Sequence, residues 1–228
     1  MGATEILANY GIASGSDQIP QAVIHEGKRC FINFLAVSLY ASRDPSLDIL
    51  LDVFKLEGGK QQSSIAGVRA RTTIQNAALA NGYLGHLEDY DDTHFPTILH
   101  PSAPIWPSVL AVAEQRSLTG REALAGFVIG AELACRLAMS VHPWHYDQGW
   151  HITGTVGVMG AAGGVGMAGG AGGQGTPVFV TNWPGRTQFK GPGNVRSLME
   201  TGGGGFSAIR GNVPKAGGMT GPMGDAFT

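Results

Sequence analysis

Between Thr119 and Ser140 the chain reads TGREALAGFVIGAELACRLAMS, and a helix over this span is apolar almost all the way round. Such a helix has no side to offer water, so the rest of the chain must supply helices to wrap it. Thr119 with Glu122 makes a capping box that sets its start. Gly126, Gly130 and Ala134 recur every fourth residue and clear a flat stripe on which another helix backbone can lie close. Tight core packing is the reading preferred for that stripe.

The wrapping helices are legible upstream. From Asp17 to Tyr40, Val23, Ile24, Gly27, Phe31, Phe34, Leu35 and Ser38 fall at three- and four-residue steps. Ser16 and Asp17 are cap candidates there, and Pro20 suits a first turn. Pro45 and Gly58-Gly59 bracket a shorter helix through Leu47, Leu50, Leu51 and Phe54, and residues 61–68 read as extended or loop. Thr72 with Gln75 matches a second capping box and predicts a helix from Thr73 toward Leu87. Pro104 and Pro107 suit the start of a helix through Gln115. No stretch alternates with period two for long enough to demand a sheet, so the expected class is an all-α bundle.

A chain of 228 residues with 43% hydrophobic content is long enough to bury a sizeable core. A net charge of −2 and a pI of about 6.4 give no electrostatic reason to bind nucleic acid or an anionic membrane, and neither partner is expected. Nothing at MGATEILANYG resembles a signal peptide, and no stretch approaches the roughly 18 uninterrupted apolar residues of a span. The expected location is cytoplasmic. Cys30 and Cys135 each lie in an apolar helical context, where two isolated thiols read as small buried hydrophobes rather than a disulfide or a zinc site.

Composition changes toward the end. Of the 36 glycines, 23 lie between Gly154 and Gly224. From Gly166 onward runs such as GGAGGQG and TGGGG leave no helical period, and glycine at that density costs too much backbone entropy for a stable helix interior. The expected organisation is a helical domain over 1–165 and a glycine-rich, irregular segment over 166–228. GAAGGVGMAGG is a poor phosphate loop, since no strand precedes it and no Lys-Ser/Thr follows.

Ionisable chemistry concentrates between Asn81 and Ser102, NGYLGHLEDYDDTHFPTILHPS. On a continuing helix Asp89 and Thr93 share a face with His86 and Asp92, whereas Asp91 points elsewhere. His100 sits in a short proline-flanked loop. Three readings of this segment stand open on residue chemistry alone. Mixed His and Asp ligands suit a divalent metal, although no HExxH-like spacing is present. A solvated, helix-ending acidic patch is the plain structural alternative. An acid/base site for a small substrate is the third, because a carboxylate-positioned histidine titrates near neutrality.

AALANGYLGHLEDYDDTHFPTILHPSAPIWPSVLAVAEQRSLTGREALAGFVIGAELACRLA, followed by HPWHYDQGWHITGTVGVMGAA, resembles the MmgE/PrpD family, which includes 2-methylcitrate dehydratase, cis-aconitate decarboxylase and iminodisuccinate epimerase. The likeness covers roughly Thr4 to Val165. It implies an all-helical domain that pairs with a smaller α/β lid, a homodimer, and catalysis with no metal or organic cofactor. The family's HxxDxDDT-like motif falls on His86 to Thr93, with its active-site aspartate at Asp89 and its threonine partner at Thr93. The histidine before Pro-Ser falls on His100 and the second family histidine on His151. The resemblance implies proton transfer by His100 and His151 beside a substrate carboxylate, with Asp89 orienting, Thr93 donating a hydrogen bond and His86 on the substrate-binding side. His86 also reads as a plain helix-end histidine, His142 and His145 as loop-lining, and Asp91 and Asp92 as caps of backbone amides. His94 takes no role.

After about Val165 the chain departs from the family's pattern. The region VRSLMETGGGGFSAIRG lacks the lysine of the family's K-x-x-H-x-G-x-A-A segment, Lys190 and Lys215 fall elsewhere, and GGMTGP keeps only the spacing of the family's GFTGP, as a shifted reading frame would produce. The lid domain is expected to be absent. Two functions follow as expectations. One is a lyase or epimerase acting on a small di- or tricarboxylate. The other is a catalytically inactive helical module that serves in dimerisation or binding.

Overall fold

In the computed structural model, which describes residue 2 and residues 5–7, 9–10 and 19–170, the chain is a bundle of helices with one small hairpin on its flank. In order these are α1 (Gln21–Ala41), α2 (Ser46–Glu57), β1 (Ser63–Ser64), β2 (Arg71–Thr72), α3 (Ile74–His86), α4 (Ser102–Arg116), α5 (Gly120–Val141), the single turn α6 (Trp144–Asp147) and α7 (Ile152–Gly170). The class is all-α, as the periodicity predicts.

α5 begins where its capping box puts it. Thr119 accepts from the Glu122 amide and the Glu122 side chain accepts from the Thr119 amide. Its residues from Ala123 to Cys135 are all buried. The helix is long and apolar enough to cross a membrane, but 78% of its apolar window is enclosed by the fold, as befits a core helix. Against it packs Trp106 of α4, stacked on Phe127 at 4.3 Å between ring centroids and touching Phe31 of α1 at 4.6 Å. Cys30 and Cys135 are buried free thiols in this core, and burial pushes both thiol pKa values up.

The small-residue stripe is the seat of α7. A Cβ added at Gly130 would lie 2.5 Å from the Gly160 carbonyl oxygen, and one at Gly160 would lie 2.8 Å from the Gly130 carbonyl oxygen. Gly157 is closed off by Pro104 Cγ at 2.7 Å. Glycine costs a helix about 0.5–1 kcal/mol per residue in backbone entropy, and here the loss is offset by backbones packed without intervening side chains. α7 therefore stays helical through GAAGGVGMAGG to Gly170, past the point at Gly166 where helix was expected to cease. Its glycines are helix interior, which rules out the phosphate-loop reading. The expected irregular structure, the displaced lysines and the GGMTGP motif all fall beyond Gly170, outside the described residues.

Two expected starts shift. α1 opens at Gln21 with Pro20 as N-cap and no side-chain cap; Ser16 and Asp17 are outside the described residues. α3 is capped by Thr73, whose side chain accepts from the Asn76 amide, and not by Thr72. The reason is that the Thr72 carbonyl already accepts from the Gln62 amide at 2.8 Å and Thr72 pairs with Ser63 in the hairpin. Residues 61–68, read as extended or loop, supply that strand. Ser63 Oγ donates to the Ala111 carbonyl at 2.7 Å, tying the hairpin to α4. A second, smaller core of Leu47, Phe54, Ile65 and Leu84 fills the space between α2, the hairpin and α3.

Candidate active site

Three segment ends meet at one edge of the bundle: the C-terminus of α3, the loop ahead of α4, and the N-terminus of α7. α3 stops at His86, with Leu87 as C-cap. The chain then reverses at Asp89, which adopts a left-handed φ of 49° while its amide donates to the His86 carbonyl at 2.9 Å. The reversal sends Asp91 back toward the helix end. Its side chain is 0% exposed. It receives His86 Nδ1 at 3.1 and 3.3 Å from its two oxygens and His100 Nδ1 at 3.2 Å.

Asp92, the next residue, points the opposite way. It accepts from the Ser102 amide at 3.0 Å and from Ser102 Oγ at 2.8 Å, which anchors the start of α4. Between the two carboxylates and α4, the tight loop from His94 to Leu99 is closed by the His94 amide on the Leu99 carbonyl at 2.7 Å and the Thr97 amide on the His94 carbonyl at 3.0 Å. That closure delivers His100 to the face of Asp91. The His100 amide donates to Thr153 Oγ1 at 2.9 Å, so the first turn of α7 holds the same loop.

His151 precedes α7 and completes a triangle of imidazoles. Ring centroids are 5.1 Å apart for His86 and His100, 6.3 Å for His86 and His151, and 6.2 Å for His100 and His151. Tyr146 stands edge-on to His151 at 5.9 Å and donates its hydroxyl to the Ile98 carbonyl at 3.2 Å. The His86 side chain is 41% exposed and that of His100 12%, and His151 is exposed, so the triangle opens to solvent on the side of His86 and His151.

An ionised carboxylate accepts only, so Asp91 takes the Nδ1–H of both rings and leaves each Nε2 to face outward with a lone pair. Burial is the largest influence on Asp91 and pushes its pKa up, but the hydrogen bonds from His100 and His86, with their charges, outweigh it and hold it low. The hydrogen bond to Asp91 raises His86 against an opposing burial effect. His151 is lowered, first by burial and then by the neighbouring His100 and His86. Asp92, enclosed beneath the site, is pushed up to about 6 by burial.

The predicted site residues fare unevenly. His86, Asp89, Asp91 and His100 each offer a ligand or proton-carrying atom, and those atoms all lie within 4.8 Å of one another. Asp89 is exposed and lies beside the histidines without bonding them. Thr93 Oγ1 reaches His100 Nδ1 and the Asp91 carbonyl only at 3.5 Å. The helical-face argument for residues 86–93 is overturned because α3 does not continue past His86. Asp91, placed on another face and read as an amide cap, is the centre of the cluster. Asp92 is the amide cap. His86 is more than a helix-end residue, since it shares Asp91 with His100. His94 stays outside the site: it is 2% exposed, bonds Thr97 Oγ1 at 2.7 Å and is pushed down to about 4 by burial and by His142. His145, read as loop-lining, lies in the turn α6, and its Nε2 pairs with Thr155 Oγ1 at 2.8 Å.

The chain is 26% identical over 159 residues to a cis-aconitate decarboxylase-like protein, oryM, of Aspergillus oryzae; the match takes in 65% of this chain and 32% of that protein. The chain thus spans about a third of the length of the curated relative it matches. Residues 5–176 match the family described as the MmgE/PrpD N-terminal domain. That match takes in most of the sequence and all three segments that form the imidazole triangle, and the chain belongs to the MmgE/PrpD family.

Proposed function

We propose that the chain carries an acid/base site of a lyase or epimerase, 2-methylcitrate dehydratase-like, acting on a small di- or tricarboxylate. The observation that carries this reading is Asp91, buried and shared by the Nδ1 atoms of His86 and His100 with a third imidazole 6.2 Å from His100. A carboxylate that fixes a histidine's tautomer makes its other nitrogen a directed base. In this reading His100 Nε2 takes a proton from the carbon next to a substrate carboxylate, and the C–H electron pair passes into an enolate-like intermediate. His151 is the second group: once protonated from solvent, it returns a proton to carbon in an epimerisation, or protonates a departing hydroxyl in a dehydration. In a decarboxylation the C–C bond breaks, carbon dioxide leaves, and a protonated histidine supplies the proton to the carbanion.

Asp89 and His86 line the open side, suited to orienting and binding substrate, and Thr93 offers a hydroxyl beside His100. The amides of the first turn of α7 favour an anion, as helix N-termini do. No step in this scheme calls on a cofactor. The same reading carries a homodimer and a cytoplasmic setting with it. Ile32, Leu39, Tyr40, Ile49 and Leu56, exposed on α1 and α2, offer apolar surface for a second copy.

The test is proton NMR of the chain in D₂O with 2-methylcitrate, cis-aconitate and iminodisuccinate in separate samples. Deuterium incorporation or product formation is expected with one of them and is expected to vanish in both His100→Gln and His151→Gln while the thermal midpoint changes little. A folded chain that exchanges no proton with any of the three refutes the reading and leaves an inactive helical module serving in dimerisation or binding.

A further inference from the structure

We infer that Tyr146 is a positioning residue whose hydroxyl fixes the separation of the His100 and His151 rings. The contacts that carry this lie in the turn α6, outside the Asp91 cluster. Tyr146 donates its hydroxyl to the Ile98 carbonyl at 3.2 Å, two residues before His100, while its ring stands edge-on to His151 at 5.9 Å. One side chain therefore touches both segments that carry the paired imidazoles. α6 is itself tied to α7. His145 Nε2 pairs with Thr155 Oγ1 at 2.8 Å, and the Trp150 amide donates to the His145 carbonyl at 3.1 Å, so Tyr146 and His151 belong to one braced unit. Burial raises the Tyr146 phenol pKa and the Ile152 backbone opposes the rise, so the residue after His151 acts on the same phenol.

Two attachment points do what one cannot. The His100 amide on Thr153 Oγ1 at 2.9 Å holds the loop to α7 at a single point, about which the loop can swivel and swing its imidazole. The phenol supplies a second point two residues away and stops that rotation. The need for it shows at Ile98, a β-branched residue with a left-handed φ of 55°. Such a residue is strained there and keeps the conformation only where its surroundings hold it. Relaxation of Ile98 would re-aim His100, and the Ile98 carbonyl is the group that Tyr146 grips. The consequence for catalysis rests on the acid/base reading above. A proton acceptor and a proton donor serve one small substrate only at a fixed spacing, and misplacement by about 1 Å can cost about 100-fold in rate.

The test is Tyr146→Phe in the full 228-residue chain, which keeps the ring and removes the hydroxyl. NMR titration of the histidine ring protons, without substrate, reads the spacing. His151 is held below its ordinary pKa by burial and by the neighbouring His100 and His86, with Asp89 and Asp91 opposing. Release of the loop weakens the burial and the His100 effect, so the His151 midpoint should rise toward 6.5 while His86, held up by Asp91, stays in place. Ser63→Ala, which removes the bond to the Ala111 carbonyl on the hairpin flank, should lower the thermal midpoint and leave His151 unmoved. In the proton-exchange assay Tyr146→Phe should lower kcat at least about tenfold with little change in KM. An unmoved His151 in folded Tyr146→Phe, or an equal movement in Ser63→Ala, overturns the inference, as does a parent-like kcat in an active chain. A chain that acts on none of the three substrates refutes the acid/base reading alone, because the titration uses no substrate.

Discussion

Gly130→Ala is the sharpest probe of how the bundle is keyed together. The added methyl would sit 2.5 Å from the Gly160 carbonyl oxygen, 3.0 Å from Ile105 Cγ2 and 3.2 Å from Gly164 Cα. Two of these neighbours are backbone, so no rotamer change relieves them and α7 must move outward by several tenths of an ångström or more. That movement also loosens the pairs Gly126 with Gly164 and Ala134 with Gly160, whose added-Cβ distances are 2.7 and 2.8 Å. A radial gap of 0.5–1 Å forfeits about a quarter to a half of each dispersion contact. Overpacking of this kind costs about 1–3 kcal/mol, against a helix-propensity gain of about 0.8–1.0 kcal/mol for replacing glycine by alanine. Gly166→Ala, on α7 with nothing within 4 Å of the new methyl, keeps only the gain. The two variants should therefore differ by about 1–3 kcal/mol in urea unfolding, which is roughly 2–12 °C in thermal midpoint for a chain of this size. A Gly130→Ala chain that is as stable as Gly166→Ala would refute the backbone-contact account of the stripe.

Two further expectations concern titration. Asp91→Asn should lower the pKa of His86 in an NMR titration of its ring protons, because the Asp91 hydrogen bond is the leading cause of its elevation; an unmoved His86 would remove Asp91 as its partner. His94, held down to about 4 from an ordinary 6.5, binds fewer protons folded than unfolded between those values, so its contribution to stability is full above the ordinary value and is lost as pH falls toward 4. The loss reaches roughly 3 kcal/mol at 1.36 kcal/mol per unit. Asp92, raised to about 6 from 3.8, runs the other way and costs stability as pH rises through that window. Urea unfolding at pH 7 and pH 4.5 should show a smaller acid loss in His94→Gln than in the parent chain, and identical slopes would contradict this.

The helices were legible because their signals are local. The Thr119 and Glu122 box, the apolar periods of α1 and α4, and the stripe at Gly126, Gly130 and Ala134 each act within a few residues of where they are read. What failed depends on partners far along the chain. Thr72 lost its capping role because its carbonyl is bonded to Gln62. α7 persists to Gly170 only because α5 presents glycines at matching positions. Asp91 was misplaced because the helix was continued past His86, and no glycine or proline marks the stop: the left-handed residue is Asp89, a residue type that tolerates that conformation without announcing it. The segment that supplies most of the candidate site was singled out by its crowding of ionisable residues, while the direction of each side chain comes from that one reversal.

The hydrogen bond from the His100 amide to Thr153 Oγ1 has a bearing on evolvability. His151 stands two residues before Thr153, so a single turn of backbone governs both imidazoles. Drift in the α6 to α7 connection would carry the two rings together and preserve their spacing, whereas a change in the His94 to Leu99 loop would part them. A change in the spacing of the two rings is therefore expected from substitutions in the His94 to Leu99 loop rather than in the α6 to α7 connection.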